Sequence, residues 1–331
     1  MAEKPRLRRF QSLGPHGFHE IAYTEWGNPN AQRLVFCVHG FTRNARDFDV
    51  LAETLAGDCY VVCMDVAGRG QSEWLTHKGD YAFGLYLTDA AALLARVTAP
   101  AEASRLRRML GGSHRPPRRH VDWVGTSMGG LMGMMLAAKR HSPIRRLVLN
   151  DVGPLVPWPA LLRMKQAHSG GHVTFATVED AEGYLREACK PFGPLSDAQW
   201  RHVAQHGTLR RGGAYIQAFD PAIITHMRSG GVAGVEFGNE FMYGVDLWPT
   251  YDAIRCPTLV LRGAESSLLQ RSTAAEMTRR GPKAEVVEFE GIGHAPWLMA
   301  DDQIKAVRDF LLAEEAEAPA VNPAPRALAV A

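Results

Sequence analysis

The chain has 331 residues, with 37 Lys and Arg against 35 Asp and Glu and 46% hydrophobic residues. An apolar fraction that high excludes a disordered chain, and a formal charge of +2 gives no electrostatic ground for nucleic-acid binding. No run approaches the roughly eighteen apolar residues of a spanning helix, and the basic start MAEKPRLRRFQSLG lacks the apolar stretch of a secretory signal.

In chain order, short β-branched and apolar runs alternate with helical periodicity. RLVFCV (Arg33 to Val38), CYVVCM (Cys59 to Met64), HVDWV (His120 to Val124) and RLVLN (Arg146 to Asn150) read as strands buried on both faces. PTLVL (Pro257 to Leu261) and AEVVEF (Ala284 to Phe289) read the same way. Between them, Ala90, Leu93, Leu94 and Val97 follow the spacing of an amphipathic helix, as do Ile304, Val307, Phe310 and Leu311. Met128 to Ala138 is apolar nearly all round, which suits a helix buried against a sheet. Strand, helix, strand in succession predicts a doubly wound, mostly parallel α/β sheet, with residues 1–150 and 255–313 as its core.

The alternation stops over 151–254, a segment rich in Pro, Gly, His and Trp with helical pieces at Val178 to Cys189 and Asp197 to Gln205. It reads as a helical cap inserted into the core. Ser104 to Arg119, with six arginines and two adjacent prolines, reads as a solvated loop, and 314–331 as a disordered tail. The five cysteines (Cys37, Cys59, Cys63, Cys189, Cys256) form no CxxC pair and read as buried, reduced thiols of a cytoplasmic protein.

Gly125-Thr126-Ser127-Met128-Gly129 has the G-x-S-x-G pattern, directly after a strand and at the start of a helix. A serine on so tight a turn projects its hydroxyl above the sheet, and the glycines let the turn close. A serine hydroxyl needs a base to become a nucleophile. Of thirteen histidines, His294 stands out because it follows the last strand in the loop Gly291-Ile292-Gly293-His294-Ala295-Pro296-Trp297, at the sheet edge where open α/β folds bind ligands. His39-Gly40-Phe41 follows RLVFCV, so the Phe41 N–H can join the Met128 N–H as a pair of oxyanion donors.

Taken with VHGF at 38–41, DVAGRGQS at 65–72, GTSMGG at 125–130, LVLNDVGP at 147–154, LRGAES at 261–266 and GHAPW at 293–297, the chain resembles the α/β-hydrolase superfamily over roughly residues 18–313. The resemblance implies a serine hydrolase with a helical cap between the sixth and seventh sheet strands, Ser127 as nucleophile and His294 as base. It also implies that Asp65 is framework, holding the N–H groups of the loop with the Gly68-Arg69-Gly70 turn. One part departs. The family's usual acid positions, after PTLVL, hold Ser266 and Ser267. Asp151, at the end of RLVLN, is the first substitute and Glu265 the second. In a third case the acid is absent and Ser267 holds the histidine.

The expected reaction is hydrolysis of a carboxylic ester with a small or medium apolar acyl group, by way of an acyl-enzyme. The alternatives are cleavage of a carbon–carbon bond in a diketone, or a ligand-binding module weakened by loss of its acid. Dehalogenation and epoxide opening need a carboxylate where Ser127 stands. Trp158, Phe192, Trp200, Tyr215, Phe219, Phe241, Tyr243 and Trp248 could line an apolar pocket or pack the cap, and Gly230, Gly231, Gly234 and Gly238 suggest a gate. The expected partner is a small-molecule substrate. No cofactor, metal, nucleic acid or membrane is expected, and the sequence carries no signal for oligomeric state.

Overall fold

A sheet of eight strands organises the chain: β1 (Arg6–Gly14), β2 (Gly17–Trp26), β3 (Arg33–Val38), β4 (Tyr60–Met64), β5 (His120–Thr126), β6 (Ile144–Asn150), β7 (Thr258–Gly263) and β8 (Glu285–Phe289). This computed structural model describes residues 4–99, 120–157, 159–160, 163, 166, 173–228, 231–232, 235–236 and 245–313. The Arg-rich 104–119, the tail 314–331, Trp158, Phe241, Tyr243, Gly230, Gly234 and Gly238 lie outside the described residues.

The strands lie in the order β1-β2-β4-β3-β5-β6-β7-β8. From β4 to β8 every neighbouring pair is parallel, and β1 and β2 are antiparallel additions at one edge. The sheet is therefore doubly wound and mostly parallel, as its alternation predicts. The order reverses between β3 and β5. Loops leaving those two strands diverge at their C-terminal ends, which opens a crevice there.

Alternation along each strand divides the core into two layers. Leu34, Phe36 and Val38 of β3 join Tyr60, Val62 and Met64 of β4 on one face, with α2 (Phe83–Val97) and α3 (Met128–Ala137). Val35, Cys37, Val61 and Cys63 face the other way, towards α1 (Asp49–Leu55) and the C-terminal helix Asp301–Leu312. Both faces are covered, which is why these strands read as unbroken apolar runs.

The segment between β6 and β7 carries α4 (Val178–Ala188) and α5 (Asp197–His206). Each starts with a reciprocal capping box, Thr177 with Asp180 and Ser196 with Gln199, so two helix starts are written locally in the sequence. Leu185, Cys189, Trp200, Val203 and Ala204 form an apolar cluster of their own, and Trp297 and Met299 from the loop after β8 complete it. Gly231 begins a two-residue strand paired with Val235–Glu236. Among the described residues no helix is long and apolar enough to cross a membrane. Cys37, Cys59, Cys63 and Cys189 are buried, and burial pushes the Cys59, Cys189 and Cys256 thiols up to about 11.

Candidate active site

Ser127 sits between the end of β5 and the start of α3 with φ 51° and ψ −112°, a left-handed backbone rare for a residue with a side chain. The flanking glycines make this possible. A Cβ on Gly125 would lie 2.3 Å from the Gly129 carbonyl carbon, and one on Gly129 would lie 2.0 Å from the Val38 oxygen. Only hydrogen fits at either place. The Ser127 N–H donates to the Asn150 oxygen at 3.0 Å, which fixes the turn to the end of β6.

His294 comes to the same point from the loop after β8. Its Nε2 is 3.0 Å from Ser127 Oγ, and its Nδ1 is 2.6 Å from Asp151 Oδ2. A carboxylate accepts, so Nδ1 carries the proton and Nε2 offers its lone pair to the serine hydroxyl. Asn150 ties the two sides together: its Nδ2 donates to Thr126 Oγ1 at 3.0 Å and to the Pro296 oxygen at 2.8 Å.

Asp151 is fully buried and also has a left-handed backbone, φ 54°, a conformation that Asp tolerates better than most residues. Its N–H donates to the Leu261 oxygen at 2.8 Å. Besides His294, its carboxylate accepts from the Gly263 N–H at 2.9 Å and from Ser266 Oγ at 2.5 Å. Glu265 is exposed, and its N–H donates to the Ile292 oxygen. The structure thus brings Ser127, His294 and Asp151 together, and among the described residues no hydrogen bond joins Glu265 or Ser267 to the histidine.

The loop after β3 is held from beneath. His39 is buried, donates from Nδ1 to the Gly40 oxygen at 2.7 Å, and accepts the Val66 N–H on Nε2 at 3.0 Å. Burial pushes its pKa down to about 3, so it is a neutral structural pin. Asp65 accepts the N–H groups of Ala45 and Gln71, and burial raises its pKa to about 6. Arg69, which sequence reasoning treated only as part of a turn, is fully buried beneath the loop. Its guanidinium donates to the Phe41 oxygen at 3.0 Å and the Ala67 oxygen at 2.8 Å, and lies over the Phe41 and Tyr86 rings. Met128 begins α3, where first-turn N–H groups have no partner within the helix.

A cavity of about 500 Å³ spreads from Ser127 and His294 towards the segment 151–254. Gly40 and Phe41 of the core line it, with Leu185, Cys189, Phe192 and Phe219 of that segment. Phe192 stands edge-on to the His294 ring at 6.4 Å and tilted against the Trp297 ring at 5.6 Å. Trp200 packs against Trp297 instead, and Trp248 against Tyr251, so the aromatic residues divide between cavity wall and packing. Arg43 in the wall is held bidentate by Asp47, while Arg163 is exposed at the cavity.

Over residues 35–309 the chain matches the alpha/beta hydrolase family. It is 38% identical over 316 residues to the 3-hydroxybutyrate-oligomer hydrolase of Cupriavidus necator, which covers 94% of this chain and 99% of that protein. A solved alpha/beta hydrolase from Novosphingobium aromaticivorans is 33% identical with a TM-score of 0.75, covering 94% of this chain and 99% of that one. An esterase of Mycobacterium tuberculosis superposes with a TM-score of 0.62 at 25% identity, covering 94% and 93% of the two chains.

Proposed function

Because this chain belongs to the alpha/beta hydrolase family and its relatives are hydrolases and esterases, we propose that it is a serine esterase acting through an acyl-enzyme on short oligomers of a hydroxyacid. The observation that carries the reading is the continuous relay from Ser127 Oγ through His294 to Asp151 at the wall of the cavity. Ser127 Oγ attacks the ester carbonyl as His294 Nε2 takes its proton. The Phe41 and Met128 N–H groups hold the resulting oxyanion, and loss of one such donor typically costs ~10²–10³ in rate. His294 then protonates the leaving alkoxide, so the alcohol half departs. Water, deprotonated by the same nitrogen, releases the acid and restores the serine.

An acid beside His294 argues against a binder that has lost its catalyst. The oligomer substrate rests on the relative from Cupriavidus necator and on the cavity's size, which lies within the range of small-molecule sites. Fluorophosphonate labelling together with hydrolysis of 3-hydroxybutyrate dimers and trimers tests both levels. Wild type should label and release monomer, and Ser127→Ala should do neither. Labelling without oligomer cleavage would remove the substrate assignment. Absence of labelling in folded wild type would remove the mechanism.

A further inference from the structure

Away from Ser127, Asp49 at the start of α1 faces His202 and His206 of α5. Four residues apart on a helix, the two imidazoles project from one face. One potential ligand atom from each of the three residues lies within 4.8 Å of the others. The Asp49 side chain is only 9% exposed, and its Oδ1 is buried without a hydrogen-bond partner. Arg46 is the cation in their midst. Its Nε is 2.7 Å from Asp49 Oδ2, its guanidinium is 3.2 Å from His206 Nδ1, and its carbonyl oxygen accepts from His202 Nε2 at 2.9 Å. A guanidinium can only donate, so His206 Nδ1 faces Arg46 with its lone pair.

We propose that Asp49, His202 and His206 form a binding site for a divalent transition ion of the zinc class, which takes the place of the Arg46 guanidinium. Two imidazoles and one carboxylate suit zinc, nickel or copper and not the all-oxygen preference of calcium or magnesium. Around tetrahedral zinc, ligand atoms at ~2.0–2.1 Å lie roughly 3.4 Å apart, so side-chain rotation closes the set. Oδ1, which has no donor now, gains a cation. His206 offers the Nδ1 lone pair that now accepts from Arg46, and His202 shifts its proton from Nε2 to Nδ1 if Nε2 is the ligand. Arg46 is 27% exposed on a long flexible stem, and a cleft lined by Asn44, Arg46, Asp65 and His206 gives it somewhere to go. The bound ion cross-links α5 to α1, two elements that belong to different parts of the fold.

Zinc titrated calorimetrically into the metal-free full-length chain should bind one equivalent. The His202→Gln/His206→Gln variant, checked for folding by circular dichroism, should bind at least about tenfold more weakly. Arg46→Met should bind more tightly, because it removes the competing cation. An ion-pair network with no metal role would show no such gain. Undiminished zinc binding in the histidine variant, or no gain in Arg46→Met, overturns the proposal. Should the double variant fail to fold, Co²⁺ added to wild type decides: intense visible bands of low-coordinate cobalt, removed by zinc, support the site, and the weak spectrum of the hydrated ion overturns it.

Discussion

Ser266 Oγ lies 2.5 Å from Asp151 Oδ2, the same oxygen that meets His294 Nδ1 at 2.6 Å. A hydroxyl thus stands after β7, where the family resemblance leads to an expected acid, and the carboxylate stands after β6. Neighbouring parallel strands end side by side, so an acid on either reaches the same ring nitrogen.

Asp151→Asn should lower kcat on p-nitrophenyl esters by at least a hundredfold, since neutralising the acid of a comparable triad costs ~10⁴. Asparagine also tolerates the left-handed backbone at this position, so the fold should persist. Glu265→Gln should change kcat by less than about threefold. The reverse pattern would move the acid to Glu265.

Ser266→Ala leaves the carboxylate with one donor fewer and the N–H groups of Leu268 and Leu269 without their acceptor. Destabilisation of about 1–3 kcal/mol by urea unfolding is expected, together with a smaller loss of kcat than in Asp151→Asn. Unaltered stability would mean that solvent replaces the hydroxyl.

The central strands were legible because each is buried on both faces, and the helix after Ser127 because it is apolar nearly all round. RLVFCV matches β3 residue for residue. The β1–β2 hairpin escaped because RLRRF in β1 is largely exposed and shows neither continuous apolarity nor clean alternation. Ser127 and His294 were singled out by strand-end position, which is a local property. The choice between Asp151 and Glu265 depends on how two strand ends far apart in sequence align, and no local pattern records that. Arg69 was missed for a similar reason: an arginine in a glycine turn reads as solvated until tertiary packing closes over it.

His39 gives the protein an acid-sensitive element. Its pKa falls from 6.5 to about 3 on folding, so below pH 6.5 the unfolded chain takes up a proton that the native state refuses. Its contribution is complete above pH 6.5 and is lost as pH falls towards 3. Asp65, raised from 3.8 to about 6, has the opposite sign: its contribution is present below 3.8 and lost as pH rises through 6. His39→Gln keeps a donor and an acceptor without titrating. Between pH 7 and 4.5, wild type should lose more unfolding free energy in urea than this variant. Equal losses would acquit His39.

Arg163 is expected to meet the free carboxylate of a hydroxyacid oligomer, since Arg43 in the same wall is already engaged by Asp47. Arg163→Gln should raise KM several-fold for charged oligomers and leave KM for neutral p-nitrophenyl butyrate within about twofold. An equal rise for both would assign Arg163 to packing.

The loop that carries His294 is fastened to the segment above it. The Gly293 N–H donates to the Pro191 oxygen at 2.6 Å, Gln199 holds the Met299 oxygen at 3.0 Å, and Trp297 is wedged against Trp200. Roof and base are therefore one mechanical part. Any displacement of α4 and α5 therefore pulls on the loop that holds His294 Nε2 3.0 Å from Ser127 Oγ. On the proposed esterase reading, the room available to a substrate and the alignment of its catalyst are coupled through this one loop.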